Sequence, residues 1–414
     1  MKGDDNTEPK PMDSESAQLK SKLRMQRRGS SPEGNLTVVE EKLENVNSRT
    51  VQLVKLLTEV GPDIPEISRR LGQFKESVRY RYKEKILGRG FAVQGAVDHE
   101  KLGLKRLMLI AEMPDPYKVY AQAILAAMHE LCYVVGFTKT LVGGEHVVNL
   151  SVPEDHLARI RSFFEELKQR GMFSKLEVLD FDWARVVPMK PEYYDFDTGR
   201  WDFDWQIGSE DYKSAAHVPS TQAKFDEIDL LIIKELQMDA NKSMKEIADK
   251  LDVNYKKLAW HHVTHVLERK LLSGFTVNWM GTRYDYTLEK VLHRKHRYFI
   301  VDLIVRNVSE LESMTLRHNL DELPFLWGEA GGQNYFAELA LPVDNVVEGL
   351  QYIGNAARPV MDRMSLYPID QTEAARFTIP YKLYDSASGK WTLDSQDLML
   401  KFDQLMVQIK AGVS

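Results

Sequence analysis

Three long cationic side chains recur at a helical spacing near residue 80. Lys75, Arg79 and Lys83 stand four residues apart, so on an α-helix they form a single stripe. A separate apolar stripe with the same spacing is formed by Val78, Tyr82 and Ile86. One buried face and an opposite row of long donors are what a DNA-recognition helix needs to reach phosphate oxygens and base edges in the major groove.

The charge of this segment differs from that of the whole chain. The 414 residues carry a net charge of -6, so affinity for nucleic acid has to come from a local basic surface. Residues 65–91 supply one, with eight basic and three acidic side chains. We therefore predict contacts to double-stranded DNA from Arg69, Lys75, Arg79, Tyr80, Arg81 and Lys83.

A second segment repeats this pattern of residue types 180 residues later but lacks the cationic stripe. The positions equivalent to Lys75, Arg79 and Lys83 hold Tyr255, Ala259 and Val263, which cannot neutralise phosphates. The candidate DNA contacts that remain are Lys256, Lys257 and Trp260. We expect this segment to bind DNA more weakly or differently, or to contact another protein through its apolar face.

Histidines in the second segment raise the question of a metal site. His261 and His265 stand at i and i+4, with His262 between them, a spacing that can chelate zinc on one helix face. No cysteine lies nearby as a third ligand, and the glutamate of an HExxH motif is absent. We predict that these histidines pack or contact DNA, and we expect neither a metal nor a cofactor.

Signatures of common enzyme classes are missing from the sequence. It contains no G-x-S-x-G, no Walker loop, no Rossmann glycine triplet and no convincing carboxylate pair. An enzyme would have no use for the cationic stripe near residue 80. We therefore predict that the chain has no catalytic residues and is not an enzyme.

The two segments belong to an internal repeat that covers most of the chain. The offset between matching stretches grows slowly, as duplication followed by small insertions would produce. Residues 66–72 match 246–252, Gly90-Phe91 matches Gly274-Phe275, and residues 150–153 match 339–342.

Each half begins with helical periodicity and continues with alternating strands and helices. Three short helices and a strand predict a winged helix-turn-helix, and the order β-α-β-β-α-β predicts a ferredoxin-like unit. The fold class is therefore α+β, with two winged helix-turn-helix domains, each followed by a ferredoxin-like βαββαβ domain. The predicted boundaries are a disordered tail 1–35, winged helix-turn-helix domains 36–98 and 225–285, ferredoxin-like domains 104–205 and 296–393, a linker 206–224 and a C-terminal helix 394–414.

Composition limits the compartment and the class of protein. Cys132 is the only cysteine, which excludes an intramolecular disulfide framework and a cysteine-rich zinc module. No secretory signal and no apolar run of about 18 residues is present, so we expect a cytoplasmic protein without a membrane partner.

A winged helix-turn-helix followed by a βαββαβ domain resembles the Lrp/AsnC, or feast/famine, family of transcription regulators. The residues that carry the resemblance are Glu-Ile-Ser-Arg-Arg-Leu-Gly at 66–72, Ser-Val-Arg-Tyr-Arg-Tyr at 77–82 and Gly-Phe-Ala-Val at 90–93. The resemblance covers nearly the whole chain beyond the tail, twice. It implies a DNA-binding regulator whose second domain mediates dimerisation. A tandem chain would then supply a pseudo-dimer by itself, with a homodimer as further association.

The resemblance also implies a small-molecule effector, such as an amino acid, near the turn between the central strands. Gly143-Gly144 and Gly331-Gly332 occupy that turn in the two halves, although the family's Gly-x-x-Asp pattern is missing from both. A tight hairpin needs glycine for its positive φ angles as well, so these residues also have a purely structural explanation.

Two alternative functions stay open on the same scaffold. Some tetrapyrrole (siroheme) decarboxylases resemble the same two-domain unit, which implies basic residues and histidines lining a pocket between the ferredoxin-like units. The candidates for that role are His146, His156, Arg317 and His318, which show no diagnostic spacing. The other alternative is a protein-interaction module.

Overall fold

The structure is a computed structural model that describes residues 47–205, 219–285, 287–393 and 397–413. The predicted tail 1–35 and residues 206–218 of the predicted linker lie outside the described residues. Contacts divide the chain into a unit of residues 1–50 and a unit of residues 51–414. Apart from residues 47–50 of the first helix, the features below belong to the second unit.

Helix α1 (47–60) opens the first winged helix-turn-helix. Helix α2 (Ile64–Leu71) starts where the Asp63 carboxylate accepts a hydrogen bond from the Glu66 amide at 3.0 Å, and it ends at Gly72, whose φ is 60°. Helix α3 (Lys75–Arg81) runs on into a π-helical turn, Tyr82–Ile86, before strand β1 (Ala92–Val97). The apolar stripe is buried as predicted, since Val78, Tyr82 and Ile86 are at most 5% exposed.

The first ferredoxin-like unit follows in the predicted order. It comprises strand β2 (Leu104–Glu112), helix α4 (Ala121–Leu131), strands β3 (Val134–Thr140) and β4 (His146–Pro153), helix α5 (Leu157–Gln169) and strand β5 (Lys175–Phe181). Strand β6 (Trp183–Val186) continues from β5, and a short aromatic hairpin then forms from β7 (Tyr194–Asp195) and β8 (Arg200–Trp201).

The second half repeats this order with one addition. Its winged helix contains α6 (Glu227–Met238), α7 (Met244–Leu251), α8 (Tyr255–His261), a π-helical turn (His262–Leu267) and β9 (Leu272–Asn278). Helix α9 (Leu288–Arg297), which the sequence patterns do not predict, precedes the second ferredoxin-like unit. That unit and its extension comprise β10 (Tyr298–Val305), α10 (Glu310–Asp321), β11 (Leu326–Gly331), β12 (Tyr335–Pro342), α11 (Val346–Ala356), β13 (Met364–Arg376), β14 (Tyr384–Asp385), β15 (Lys390–Trp391) and α12 (Leu398–Val413).

Two of the sheets contain strands from both halves of the chain. Strands β1 and β9, one from each winged helix, pair antiparallel from Ala92–Asn278 to Val97–Leu272. The ferredoxin-like units form one nine-stranded sheet in the order β5-β2-β4-β3-β13-β10-β12-β11-β6. Within each half the four main strands follow the ferredoxin-like order, so the predicted α+β fold class is confirmed.

The nine-stranded sheet closes on itself through the chain. Its two edge strands, β5 and β6, are consecutive segments joined at Asp182, whose amide donates to the Gly331 carbonyl at 2.8 Å. Strand β13 joins the two ferredoxin-like units on the other side, because it pairs first with β10 and then with β3. The face turned inward carries an apolar cluster at one end, which includes Met108, Ile110, Val147, Phe181, Ile304 and Phe336.

A helix that spans a membrane has to be both long and apolar. None of the helices in the described parts of the chain is long and apolar enough to cross a bilayer.

Candidate functional site

The predicted cationic stripe lies on the surface of the first winged helix. Lys75 begins α3, Arg79 follows one turn later, and Lys83 lies in the π-helical turn; all three side chains are exposed. Among the residues that the structure describes, none forms a hydrogen bond or ion pair with them. Phe74 and Tyr80 lie beside the stripe with 83% and 51% of their surfaces exposed. The surface therefore combines available positive charge with aromatic area.

The other predicted cations of this segment are held by neighbours. Arg69 forms a 2.7 Å ion pair with Glu66 within α2, and hydrogen bonds from Arg69 and Arg70 lower the pKa of that carboxyl to about 2. Arg81 is half-buried and donates to the Gln73 side chain at 2.8 Å. The structure therefore places Lys75, Arg79 and Lys83 together as the accessible set and ties Arg69 and Arg81 to the scaffold.

The second recognition helix presents a different surface. Lys256 and Lys257 are exposed in the first turn of α8, which Asn254 caps. Between a third and a little over half of the surface of each large side chain on this face is exposed: Tyr255, Trp260, Val263 and Leu267. The predicted difference between the two helices is thus present in the folded chain, and the function of this apolar face stays a prediction.

Two histidines of the second helix meet two carboxylates from α6. His261 Nδ1 lies 2.9 Å from Asp229 Oδ1, His265 Nδ1 lies 3.0 Å from Asp229 Oδ2, and Asp226 Oδ1 lies 3.6 Å from His261 Nδ1. Asp229 is fully buried and His261 is 4% exposed. We call Asp226, Asp229, His261 and His265 the Asp-His cluster. The additional candidate ligands are these two carboxylates and not a cysteine, and the histidine spacing alone did not indicate them.

A cavity of about 110 Å³ lies inside the closed sheet, between the ferredoxin-like units and the winged helices. Six charged residues line it: Arg106, Arg185, Arg283, Arg376, Glu329 and Glu338. Four arginines against two glutamates leave an excess of positive charge along the cavity lining. Such a site suits an anionic ligand.

Arg106 is the arginine of this cavity with no hydrogen bond or ion pair to a residue that the structure describes. Burial, followed by the nearby charge of Arg376, lowers its pKa to about 10. Its neighbour His99 also lines the cavity, and burial and the charge of Arg106 lower the pKa of that imidazole to about 3. Asp302 is buried outside the cavity lining, and burial and the charge of Glu338 raise its pKa well above its usual range. The cavity thus holds charged groups that the protein itself incompletely compensates.

The predicted effector glycines lie outside this cavity lining. Gly143 and Gly144 form the β3–β4 turn with φ of 89° and 77°, values that favour glycine. A Cβ at Gly331 would lie 2.4 Å from the Trp183 ring, and a Cβ at Gly332 would lie 2.7 Å from the Asp182 carboxylate. Close packing against the β5–β6 junction explains the second pair. Effector binding at these glycines stays a prediction.

The residues considered for a decarboxylase are also dispersed. His146, His156, Arg317 and His318 are absent from the cavity lining. Arg317 instead forms an ion pair with Glu329 at 3.2 Å, and His156 contacts the Tyr133 hydroxyl at 3.0 Å. The structure therefore does not bring these four together.

Comparison with known proteins gives matches among solved structures. No protein-family model and no curated protein matches the sequence. A crystal structure of the siroheme decarboxylase NirDL matches over 87% of this chain and 99% of its own, at 12% identity and a TM-score of 0.45. NirDL in complex with an iron-uroporphyrin III analogue matches at 11% identity and 0.47, covering 84% and 98%. PH0061 matches 32% of this chain and 90% of its own, at 24% identity and 0.24.

One prediction has to be corrected. The prediction that the chain is not an enzyme is contradicted, because a decarboxylase is matched over 87% of this chain. The missing motifs could not support that prediction, since one scaffold can carry either a regulator or an enzyme and each function resides in particular side chains. At these identities and TM-scores, the matches assign no reaction or partner to this chain.

Proposed function

We propose that this chain is a DNA-binding transcription regulator of the Lrp/AsnC type that contacts duplex DNA mainly through its first winged helix. The observation that carries the proposal is the exposed stripe of Lys75, Arg79 and Lys83, which has no partner among the described residues. Each of these side chains can neutralise a phosphate without first breaking an ion pair within the protein. Tyr80 and Arg81 are secondary contacts in this proposal.

The second winged helix has a smaller role in DNA binding. Lys256 and Lys257 lie together in one helical turn, so they reach a shorter length of DNA backbone than the stripe on the first helix. Trp260 is 54% exposed. Contact with another protein would remove Trp260 and the neighbouring apolar side chains from water at little cost in desolvation free energy. The pairing of β1 with β9 joins the two winged helices into the arrangement of a pseudo-dimer.

Binding to fragmented genomic DNA over a range of salt concentrations tests the proposal. We expect the affinity of the intact chain to fall steeply with salt, because bound phosphates release counterions. The double variant Arg79→Ala/Lys83→Ala should lose roughly 10- to 100-fold in affinity at low salt. Its slope of log affinity against log salt should be shallower by about 2, one for each phosphate contact removed.

The matched control removes two exposed cations from the first ferredoxin-like unit. Lys118 and Lys168 are exposed and have no ion pair within the described residues. Lys118→Ala/Lys168→Ala changes net charge equally and should bind like the intact chain. Lys256→Ala/Lys257→Ala should fall between the two. No binding at low salt, or an equal loss in the control and in Arg79→Ala/Lys83→Ala, would refute DNA binding through the stripe.

A second function, binding of a small anionic effector, is favoured by the charge of the interior cavity. Arg106 lacks an ion-pair partner in the described chain although much of its surface is buried. A carboxylate or phosphate ligand would supply that partner. The cavity of about 110 Å³ fits a molecule of amino-acid size better than a tetrapyrrole, since pockets for drug-sized ligands measure roughly 300–1,000 Å³.

Arg106→Met tests this second function through stability. Because folding lowers the pKa of Arg106, the charged side chain opposes folding, and its removal should raise the free energy of unfolding without ligand by about 1–3 kcal/mol. Amino acids, small dicarboxylates and phosphate are the probes in a thermal-shift assay. We expect one class to raise the Tm of the intact chain but not of Arg106→Met. Equal shifts in both chains would contradict a site at Arg106.

A further inference from the structure

The Asp-His cluster combines ligands from two helices of the second winged helix. Asp226 is the N-cap of α6, and Asp229 lies one turn into that helix. His261 ends α8, and His265 lies in the π-helical turn that follows. One ligand atom from each of the four side chains lies within 4.8 Å of the other three.

We propose that this cluster binds a divalent transition-metal ion of the zinc class, with two imidazole nitrogens and two carboxylate oxygens as ligands. Zinc accepts both donor types at about 2.0–2.2 Å, so tetrahedral ligand atoms lie about 3.3–3.6 Å apart. The nitrogen-to-oxygen distances to Asp229 and Asp226 run from 2.9 to 3.6 Å. These pairs need an adjustment of a few tenths of an ångström, and the most widely separated ligand atoms, which lie up to 4.8 Å apart, have to approach by as much as about 1 Å.

The hydrogen bonds at Asp229 show why a cation fits at this position. Both imidazole Nδ1 atoms approach its carboxylate within 3.2 Å, and the Asp226 amide donates to Oδ2 at 3.0 Å. Without metal, both Nδ1 atoms have to carry a proton to be donors. A bound dication would take the place of those two protons at Nδ1, and each proton would move to Nε2 of the same ring.

Exposure differs across the cluster in a way that allows entry. The side chain of Asp229 is fully buried, and the side chains of His261 and His265 are 5% and 12% exposed. The side chain of Asp226 is 51% exposed and lies on the solvent side. An ion can therefore enter past Asp226 while the buried ligands hold it. Asp226 Oδ1 also caps α6, accepting from the Ile228 amide at 2.9 Å, and a carboxylate has enough lone pairs for both tasks.

A metal ion here would fix the second recognition helix to the start of α6. It would also fix the apolar face, because the Trp260 ring lies 4.7 Å from the His265 ring and 5.1 Å from the His261 ring. Binding is therefore expected to alter the fluorescence of Trp260. The histidines would then hold the two helices together through the metal ion as well as through their contacts with Asp229.

Titration of the chelator-treated full chain with Zn²⁺ and Co²⁺ tests the proposal. We expect one equivalent to bind, with a visible absorption band for tetrahedral Co²⁺ and weaker binding at acidic pH, where protons compete for the ligands. His265→Ala should raise the Zn²⁺ dissociation constant by more than about 100-fold, since loss of an outer-shell partner alone costs about 10- to 100-fold. Asp226→Asn keeps the helix cap, removes a charged ligand and should weaken binding by a smaller factor.

The control is His262→Ala, which removes a histidine from the same turn but not from the cluster. It should leave Zn²⁺ affinity and the Co²⁺ band unchanged. Circular dichroism of the metal-free variants shows whether each is folded, and Asp226→Asn keeps the test informative if His265→Ala unfolds. The absence of stoichiometric binding by the intact chain would overturn the proposal. Equal affinities for the intact chain and both cluster variants would do the same.

Discussion

Replacing Phe325 with alanine is expected to lower the free energy of unfolding by about 4 kcal/mol. Phe325 is fully buried immediately before β11, and three aromatic side chains from the end of the first half of the chain surround it. The Trp205 ring stacks on it at 5.2 Å, and Trp201 and Phe203 meet it edge to face at 5.1 and 5.9 Å. Truncation removes these contacts and leaves a cavity between the two halves. Urea unfolding followed by circular dichroism measures the loss.

Two variants separate this packing effect from a general one. Phe325→Leu keeps most of the volume and should cost less than about 1.5 kcal/mol. Leu400→Ala removes an apolar side chain that is 55% exposed and should change stability by less than about 0.5 kcal/mol. Trp201 and Trp205 are two of seven tryptophans, so Phe325→Ala should also change the fluorescence of the folded chain. A loss no larger than that of Leu400→Ala would contradict the role of this cluster.

Replacing Glu329 with glutamine is expected to destabilise the chain by about 3 kcal/mol, because it removes the charge from a buried network. The Glu329 side chain is fully buried and forms ion pairs with Arg185 and with Arg317, the latter at 3.2 Å. It also accepts a hydrogen bond from the Tyr335 hydroxyl at 2.8 Å. Arg185 retains only Asp321 at 3.1 Å once this charge is gone. The free energy of unfolding at neutral pH measures the effect.

The chain provides a matched control in an exposed ion pair that also joins the two halves. Glu130 pairs with Lys382, and their side chains are 61% and 56% exposed. Glu130→Gln should cost between zero and about 1 kcal/mol, because water screens this pair and solvates the charge left behind. Similar losses for Glu130→Gln and Glu329→Gln would show that burial does not set the strength of the inner network.

Local patterns predicted most elements but not their partners. The stripe of Val78, Tyr82 and Ile86 identified a buried helix face, and the alternation of strands and helices gave the ferredoxin-like order. The pairing of β3 with β13 could not be predicted, because period-two alternation indicates a strand's faces and says nothing about its neighbour. Helix α9 was not predicted. Among its side chains that the structure describes, only Val291 and Arg294 are buried, so no apolar stripe runs the length of this helix.

The candidate sites also differ in whether local sequence patterns could locate them. The cationic stripe is local, and its spacing alone located it. The cavity depends on Arg106, which lies on the same face of β2 as buried Met108 and Ile110, so an arginine at an inward-facing strand position was the available signal. The Asp-His cluster joins residues 32 apart. Asp226 and Asp229 form a capping box at the start of α6. Because helix capping explains the presence of both aspartates, the sequence gives no separate sign that they belong to a cluster with the histidines.

The closed sheet has a consequence for synthesis on the ribosome. Strand β6 needs β11, which follows it by more than a hundred residues, and β3 needs the end of β13, which is still farther away. At about 5–20 residues per second, the second half takes roughly 10–40 s to emerge. During that interval strands β1, β3 and β6 of the nascent first half lack their partners from the second half, and their unpaired edges are templates for aggregation. Cotranslational folding of this chain therefore has to finish late, and holdase chaperones are expected to protect β3 and β6 until then.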